Sequence, residues 1–187
     1  MSASSRFPVR SRILHWLTAI LIFAALLVGF TMVHALASYA ALVAVHMTLG
    51  ITVLAVAVVR LVNRFTSKPP NWPPTVGKLE GKVVSLSERL MYALLLAQPL
   101  VGWAMVSAAG RPPVVFGTLA LPRIAPFDDG LYYALRQTHS VLAFTLVVVI
   151  AAHVSAVLLH TVTLRDGMLS RMTFGKDAQP DTATESA

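Results

Sequence analysis

The sequence predicts an all-α membrane protein, a bundle of four transmembrane helices with both chain termini in the cytoplasm. Hydrophobic residues make up 56% of the 187 positions and charged residues only 12%, and the mean hydropathy is +0.71. An ordinary soluble domain carries about twice that share of charged residues. The apolar residues form long uncharged runs, and most of the basic residues lie on one side of those runs.

The uncharged runs set the number of spans. No charged residue lies between Arg12 and Arg60, and because one membrane helix takes about 20 residues, this interval holds two helices and a tight turn. The intervals 90–110 and 137–164 are also uncharged, and each holds one more helix. We therefore expect spans at about 12–34, 39–63, 89–109 and 131–164.

The basic residues give the expected orientation. Of the fifteen lysines and arginines, twelve flank the N-terminus, the second connection and the end of the last span. By the positive-inside rule, this side faces the cytoplasm. We interpret the basic excess as a signal of topology and of contact with membrane lipid, so nucleic acid is not an expected partner. Three arginines fall on the outer side, namely Arg111, Arg123 and Arg136.

The two ends of the chain are interpreted separately from the spans. The basic N-terminus and first apolar run are compatible with a cleaved signal peptide, but the run from Ile13 to Val33 is longer than the roughly 7 to 15 residues of a signal core. A membrane span is therefore favoured. The polar residues 176–187 are expected to be disordered. Residues 1–175 then form a single transmembrane domain.

Prolines and glycines mark the connections and close approaches. Residues 66–81, rich in proline, are expected to form a cytoplasmic loop that leads through a short surface helix into Glu88. Residues 110–130 form a long outer loop. Pro99 is expected to kink the third helix. Gly102, close to Pro99, is expected to allow close helix packing, and Gly29 and Gly50 leave room for a porphyrin face or for helix packing.

Four histidines lie deep within the expected spans. Two of these, His139 and His153, are fourteen positions apart in the fourth span, which places both rings on one helix face about 21 Å apart. An ionisable side chain costs roughly 2.5 kcal/mol or more when it is charged inside a bilayer, so its presence there indicates a functional site. Haem iron is the expected metal. Because the chain has no cysteine, the haem is held non-covalently.

Depth below the outer helix ends pairs these histidines. His46 and His139 each lie about 10 to 12 Å in, so they can share one iron. His15 and His153 lie at about 28 and 33 Å and can share a second. Depth measured from the inner arginines instead pairs His15 with His160, which follows His153 by seven positions. His160 therefore stays a reserve ligand, with a quinone contact, a propionate contact or a simple interfacial position as its other interpretations.

The histidines also admit interpretations without haem. Each could be an interhelical hydrogen-bonding group, and His34, beside the first turn, is expected to be interfacial. A non-haem metal transport or binding protein is a further alternative, although imidazoles without carboxylate or thiolate partners make a poor zinc site. All eight acidic residues lie outside the expected spans, which disfavours proton pumps and zinc hydrolases, because these need an embedded carboxylate.

Arg60 is the candidate counter-charge for the inner haem. It follows His46 by fourteen positions, so it lies on the same face about 21 Å deeper. There it could neutralise a haem propionate, or snorkel to the cytoplasmic interface. The three outer arginines are candidates for the propionates of the outer haem, and spacing does not select among them.

With the histidines placed, the chain resembles the bacterial cytochrome b561 family. These are small four-helix di-haem membrane proteins related to the cytochrome b subunits of formate dehydrogenase and nickel–iron hydrogenase. The resemblance covers nearly everything from Arg10 to Phe174. The matching motifs are Ile13-Leu14-His15-Trp16, His46 with Gly50 and Val59-Arg60-Leu61, Gln98-Pro99-Leu100-Val101-Gly102, Phe116-Gly117, His139, His153 and Asp166-Gly167-Met168-Leu169.

The resemblance implies a ligand set and an activity. It pairs His15 with His153 and His46 with His139 as axial ligands of two haems b. It also implies electron exchange with ubiquinone in the bacterial inner membrane, and superoxide oxidation coupled to quinone reduction is one activity described in the family. One departure is Thr161, which follows His160 where some members have a second histidine.

The remaining expectations concern partners. Besides lipid and quinone, superoxide or a periplasmic redox protein would meet the outer loop, and a homodimer is left open. An alternative function is the membrane-anchor cytochrome b subunit of a larger dehydrogenase.

Overall fold

Four long helices build the protein, as a computed structural model shows for residues 6–67, 70, 77–165 and 167–174. Each helix is long and apolar enough to cross a membrane, which confirms the expected four-span all-α fold. The helices are Val9–Met32 (α1), Tyr39–Thr66 (α2), Lys78–Ala108 (α3) and Asp129–Leu158 (α4). Much of the expected proline-rich loop, the expected tail and Asp166 of the last motif fall outside the described residues.

Short elements complete the described chain. A 3₁₀ turn, Leu36–Ser38, joins α1 to α2, and a π-helical segment, Leu159–Leu164, continues α4. A two-stranded antiparallel hairpin, Val114–Val115 (β1) with Leu119–Ala120 (β2), lies in the connection between α3 and α4. A second 3₁₀ turn, Leu169–Arg171, follows the last helix.

The third helix begins at Lys78 rather than near Arg89. No proline interrupts the chain between Lys78 and Gln98, so the expected surface helix and the span are one continuous element. The side chain of Glu80 accepts a hydrogen bond from the Gly77 amide at 3.3 Å and so caps the first turn. Glu80 and Glu88, expected outside the spans, therefore lie on α3 itself.

The helices pack in chain order. Close packing joins α1 to α2, α2 to α3 and α3 to α4, whereas α4 approaches neither α1 nor α2 as closely within the described residues. Large apolar side chains such as Phe23, Leu27 and Val148 are exposed on the outside, as a lipid-facing surface requires. The buried core is formed by Ile22, Val53, Ala57, Leu94, Leu95 and Leu146.

The connection between α3 and α4 is tied back onto the bundle. At the hairpin tip, Phe116 and Gly117 both have positive φ, 51° and 77°, as the two central residues of a type I′ turn require. The Phe116 amide donates to Thr48 Oγ1 of α2 at 3.2 Å, and the Trp103 indole donates to the Pro122 carbonyl at 2.9 Å. The hairpin therefore covers the end of the bundle where α2 begins.

The opposite end of the bundle is closed by the C-terminal segment. The Phe7 amide donates to the Arg171 carbonyl at 3.2 Å, and the Trp16 indole donates to the Met172 carbonyl at 2.9 Å. Arg12 donates to the carbonyl of Thr173 at 2.8 Å. The start of α1 and the segment after α4 thus lie together on one side of the bundle.

Candidate functional site

The structure brings four histidines together in two facing pairs. The rings of His46 on α2 and His139 on α4 have centroids 6.1 Å apart, and we call these two the loop-side pair because α2 meets the hairpin there. His15 on α1 and His153 on α4 have centroids 6.4 Å apart, and we call these two the terminus-side pair. Each pair therefore joins α4 to one of the two helices that it does not closely approach.

The spacing of each pair suits a metal ion held between the two rings. An imidazole nitrogen lies about 2 Å from a bound metal, so two ligands on opposite sides of one ion place their ring centroids about 6 Å apart. Two rings in simple edge-to-face contact have a similar separation. The assignment therefore depends on what surrounds each ring.

His46 is held in the orientation that a metal ligand needs. Its Nδ1 donates to the Ala25 carbonyl of α1 at 3.0 Å. In this tautomer, the lone pair of Nε2 is available for a metal. A β-carbon at Gly29 would lie 3.0 Å from Cε1 of His46. The glycine therefore lets the ring lie directly against the backbone of α1.

His139 is packed in the same way against a different helix. A β-carbon at Gly102 of α3 would lie 3.0 Å from Cε1 of His139. Gln98 donates from its side-chain amide to the His139 carbonyl at 3.1 Å. The His139 ring also faces the backbone of Gln98, much as the His46 ring faces the Ala25 carbonyl. Gln98 Oε1 is buried and has no hydrogen-bond partner within the described chain.

The terminus-side pair has charged and aromatic neighbours. Arg60 Nη2 lies 3.0 Å from His15 Nδ1, and because a guanidinium only donates, the ring nitrogen accepts. The same guanidinium lies over the ring of Tyr92, 5.3 Å from its centroid. The Trp16 ring meets His15 edge to face at 5.7 Å. Arg60 therefore reaches the level of the inner histidines.

The other two histidines lie apart from these pairs. His160 is buried, with 6% of its surface exposed, and its Nε2 lies 2.7 Å from Glu80 Oε1. Sequence reasoning missed this contact because it placed Glu80 in the loop 66–81, whereas Glu80 lies in the first turn of α3. His34 is exposed and bonds through Nδ1 to the Phe30 carbonyl of its own helix at 3.0 Å. The outer arginines, Arg111, Arg123 and Arg136, are all exposed.

The donor set fits haem better than a bare metal ion. Across the described ranges, no group of three or more histidine or acidic side chains is placed to hold a metal ion. A dedicated zinc site needs three or four protein ligands. A haem iron takes four nitrogens from the porphyrin, so a pair of imidazoles completes its coordination. A bundle of four membrane helices with such pairs belongs to the class of transmembrane b-type cytochromes.

Comparison with known proteins identifies the family. The model of the prokaryotic cytochrome b561 family matches residues 6–175, and the chain belongs to this family. It is 27% identical to cytochrome b561 homolog 2 of Escherichia coli K12 over 170 residues, which cover 89% of this chain and 90% of that protein. It is 26% identical to cytochrome b561 homolog 1 of the same organism over 171 residues, 90% of this chain and 97% of that protein.

A third relative carries the name of an activity. The probable superoxide oxidase CybB of Yersinia pestis is 30% identical over 131 residues, 68% of this chain and 72% of that protein. Together, the fold and the family establish a multi-pass bacterial membrane cytochrome that transfers electrons, with haem b implied by the family.

Proposed function

We propose that this protein is a di-haem cytochrome b561 that conducts electrons across the bacterial inner membrane. His15 and His153 hold one haem b, and His46 and His139 hold the other. The observation that carries the proposal is the presence of two facing imidazole pairs at different heights of one bundle. Their α4 members are fourteen residues apart, which corresponds to about 21 Å along the helix.

The side chains of the two sites suit electron transfer rather than oxygen activation. A haem supplies a one-electron couple. If each histidine pair completed the coordination of a haem iron, no position would remain open for a substrate, and the haem would supply electron transfer rather than oxygen activation. His46 is fixed by the Ala25 carbonyl, and the glycines at 29 and 102 keep the loop-side rings close to their helices. Arg60 supplies positive charge for a propionate of the terminus-side haem.

The arrangement of the ends supports the proposed orientation. The start of α1 and the segment after α4 are joined by hydrogen bonds and therefore share one side. Most basic residues flank this side, which the positive-inside rule assigns to the cytoplasm. The terminus-side haem then lies toward the cytoplasm, and the loop-side haem toward the periplasm.

We further propose ubiquinone as one redox partner and superoxide as the other. Two superoxide anions each give one electron and leave as dioxygen, and these two electrons with two protons reduce ubiquinone to ubiquinol. Support comes from the relative named as a probable superoxide oxidase. The three exposed arginines on the loop side place positive charge where an anion would arrive.

Haem content and turnover of the purified protein test this proposal. We expect a pyridine haemochrome assay to give two haems b per chain, and a reduced-minus-oxidised spectrum to show a b-type band. In liposomes containing ubiquinone, we expect superoxide to reduce the quinone. A preparation without haem b would overturn the cytochrome assignment. Two haems without quinone reduction by superoxide would overturn only the proposed partners. Co-purification of a soluble dehydrogenase subunit would show the anchor function instead.

A further inference from the structure

His46 of the loop-side pair and His15 of the terminus-side pair differ in the sign of their nearest polar contact. On the loop side, His46 Nδ1 donates its proton to a neutral carbonyl, that of Ala25, at 3.0 Å. On the terminus side, His15 Nδ1 faces a cation, with Arg60 Nη2 at 3.0 Å. One ligand ring is therefore in contact with a hydrogen-bond acceptor, and the other with a permanent positive charge.

This contrast acts on the stability of ferric relative to ferrous haem. A ligand imidazole that donates to a carbonyl becomes more basic and stabilises the oxidised metal. A positive charge nearby does the reverse, because oxidation of the iron adds a positive charge that the guanidinium repels. The carbonyl therefore lowers the reduction potential of the loop-side haem, and the guanidinium raises that of the terminus-side haem. Both effects widen the difference between the two potentials.

The charge of Arg60 is held at the site and is not cancelled there. Its guanidinium lies over the Tyr92 ring and, among the described residues, has no carboxylate partner. Arg64, one turn further along α2, is instead paired with Glu88 at 2.8 Å. Arg60 therefore places a positive charge beside the terminus-side pair.

Iron binding does not remove this charge from the site. While Nδ1 of His15 accepts from Arg60, the proton of the neutral ring is on Nε2. A neutral His15 that bound iron through Nε2 would carry its proton on Nδ1, so Arg60 would have to release Nδ1. A guanidinium that remained over the Tyr92 ring would favour the ferrous state, because oxidation of the iron adds a positive charge that it repels.

We infer that Arg60 holds the terminus-side haem at a higher reduction potential than the loop-side haem, so that electrons run from the loop side to the terminus side. This inference rests on the proposed di-haem function. It goes beyond that function because it assigns the direction of electron flow to one side chain. Arg60 acts here on the energy of the oxidised state and leaves ligation of the iron to the histidines.

A redox titration followed by haem absorbance tests the inference. His46→Ala protein should retain only the terminus-side haem, and His15→Ala protein only the loop-side haem, so each potential is measured alone. We expect the terminus-side haem to have the higher potential. In Arg60→Gln protein, the reduced-to-oxidised ratio of that haem at a fixed potential should fall about tenfold, which is 59 mV for a one-electron couple. The loop-side haem should not change.

Two variants separate charge from structure. Arg60→Lys keeps a positive charge and should restore most of the potential, whereas a purely structural role for the guanidinium would leave this variant as low as Arg60→Gln. Arg64→Gln removes a charge one turn away, from a residue already paired with Glu88. It should shift the terminus-side potential much less than Arg60→Gln.

Each outcome decides the inference. A loop-side haem with the higher potential overturns it, and this comparison needs no change at Arg60. Unchanged potentials in Arg60→Gln protein that still holds two haems also overturn it, and leave the di-haem function standing. A wild-type protein with fewer than two haems overturns the proposed function itself.

Discussion

The loop-side and terminus-side pairs contain the same ligands but are supported by different kinds of neighbours. On the loop side, glycines of α1 and α3 let the rings of His46 and His139 lie against helix backbone. On the terminus side, His15 is surrounded by the side chains of Arg60 and Trp16. The first arrangement depends on the absence of side-chain volume, and the second on charge and aromatic contact. One protein therefore shows two ways to hold an imidazole in a membrane.

Removing a ligand histidine should give the largest change in haem content, and the change should be the same for the loop-side and terminus-side pairs. We expect His139→Ala and His153→Ala each to lose one of two haems, because an iron with one axial imidazole is held less firmly in a non-covalent site. The pyridine haemochrome assay measures this loss. His34→Ala changes an exposed histidine and should keep both haems. Full haem content in either ligand variant would contradict the assignment.

A larger side chain at Gly29 should remove the haem of one pair and leave the haem of the other. In Gly29→Leu, the new side chain occupies the space of the His46 ring, since even a β-carbon would lie 3.0 Å from it. Overpacking of this kind costs about 1 to 3 kcal/mol. We expect the loop-side haem to be lost and the terminus-side haem to remain, as counted by haemochrome assay and absorption spectrum.

A matched pair of alanine variants controls for the helix itself. A β-carbon at Gly50 would meet nothing within 4 Å, so Gly50→Ala should retain both haems, while Gly29→Ala should weaken the loop-side haem. Equal haem content in the two variants would show that the contact between Gly29 and His46 does not matter for binding.

Breaking the contact between Glu80 and His160 should reduce stability and spare both haems. The two side chains meet at 2.7 Å, and losing a hydrogen bond to a charged group costs about 1.5 to 3 kcal/mol. We expect Glu80→Leu to lower the midpoint of thermal unfolding in detergent, with two haems retained. Loss of the terminus-side haem instead would show that His160 takes part in that site.

The smallest effect is expected at the start of α4, and it should be shared by both pairs. The Asp128 side chain accepts a hydrogen bond from the Leu131 amide at 2.6 Å and caps this helix. Removal of such a cap costs about 1 kcal/mol. Because α4 carries a ligand of each pair, Asp128→Ala should lower thermal stability without changing the ratio of the two haems. Selective loss of one haem would contradict this expectation.

The sequence could predict the features of the fold that depend on a local pattern of residues. The uncharged runs predict the four helices, since lipid admits few charges. The expected loop over 66–81 included Glu80, whereas the helix begins at Lys78, because helix formation continues wherever no proline or strong breaker interrupts it. Placing Glu80 in a loop also hid its contact with His160.

The sequence by itself determined the number of helices, their membrane character and the fourteen-residue spacing on α4, because hydropathy and helical period act along a single chain. Only the tertiary structure decided that Gly29 and Gly102 lie against ligand rings and that Arg60 meets His15. These contacts depend on how each helix is rotated and shifted against its neighbours. Packing between helices sets that relation, and no periodicity within one helix records it.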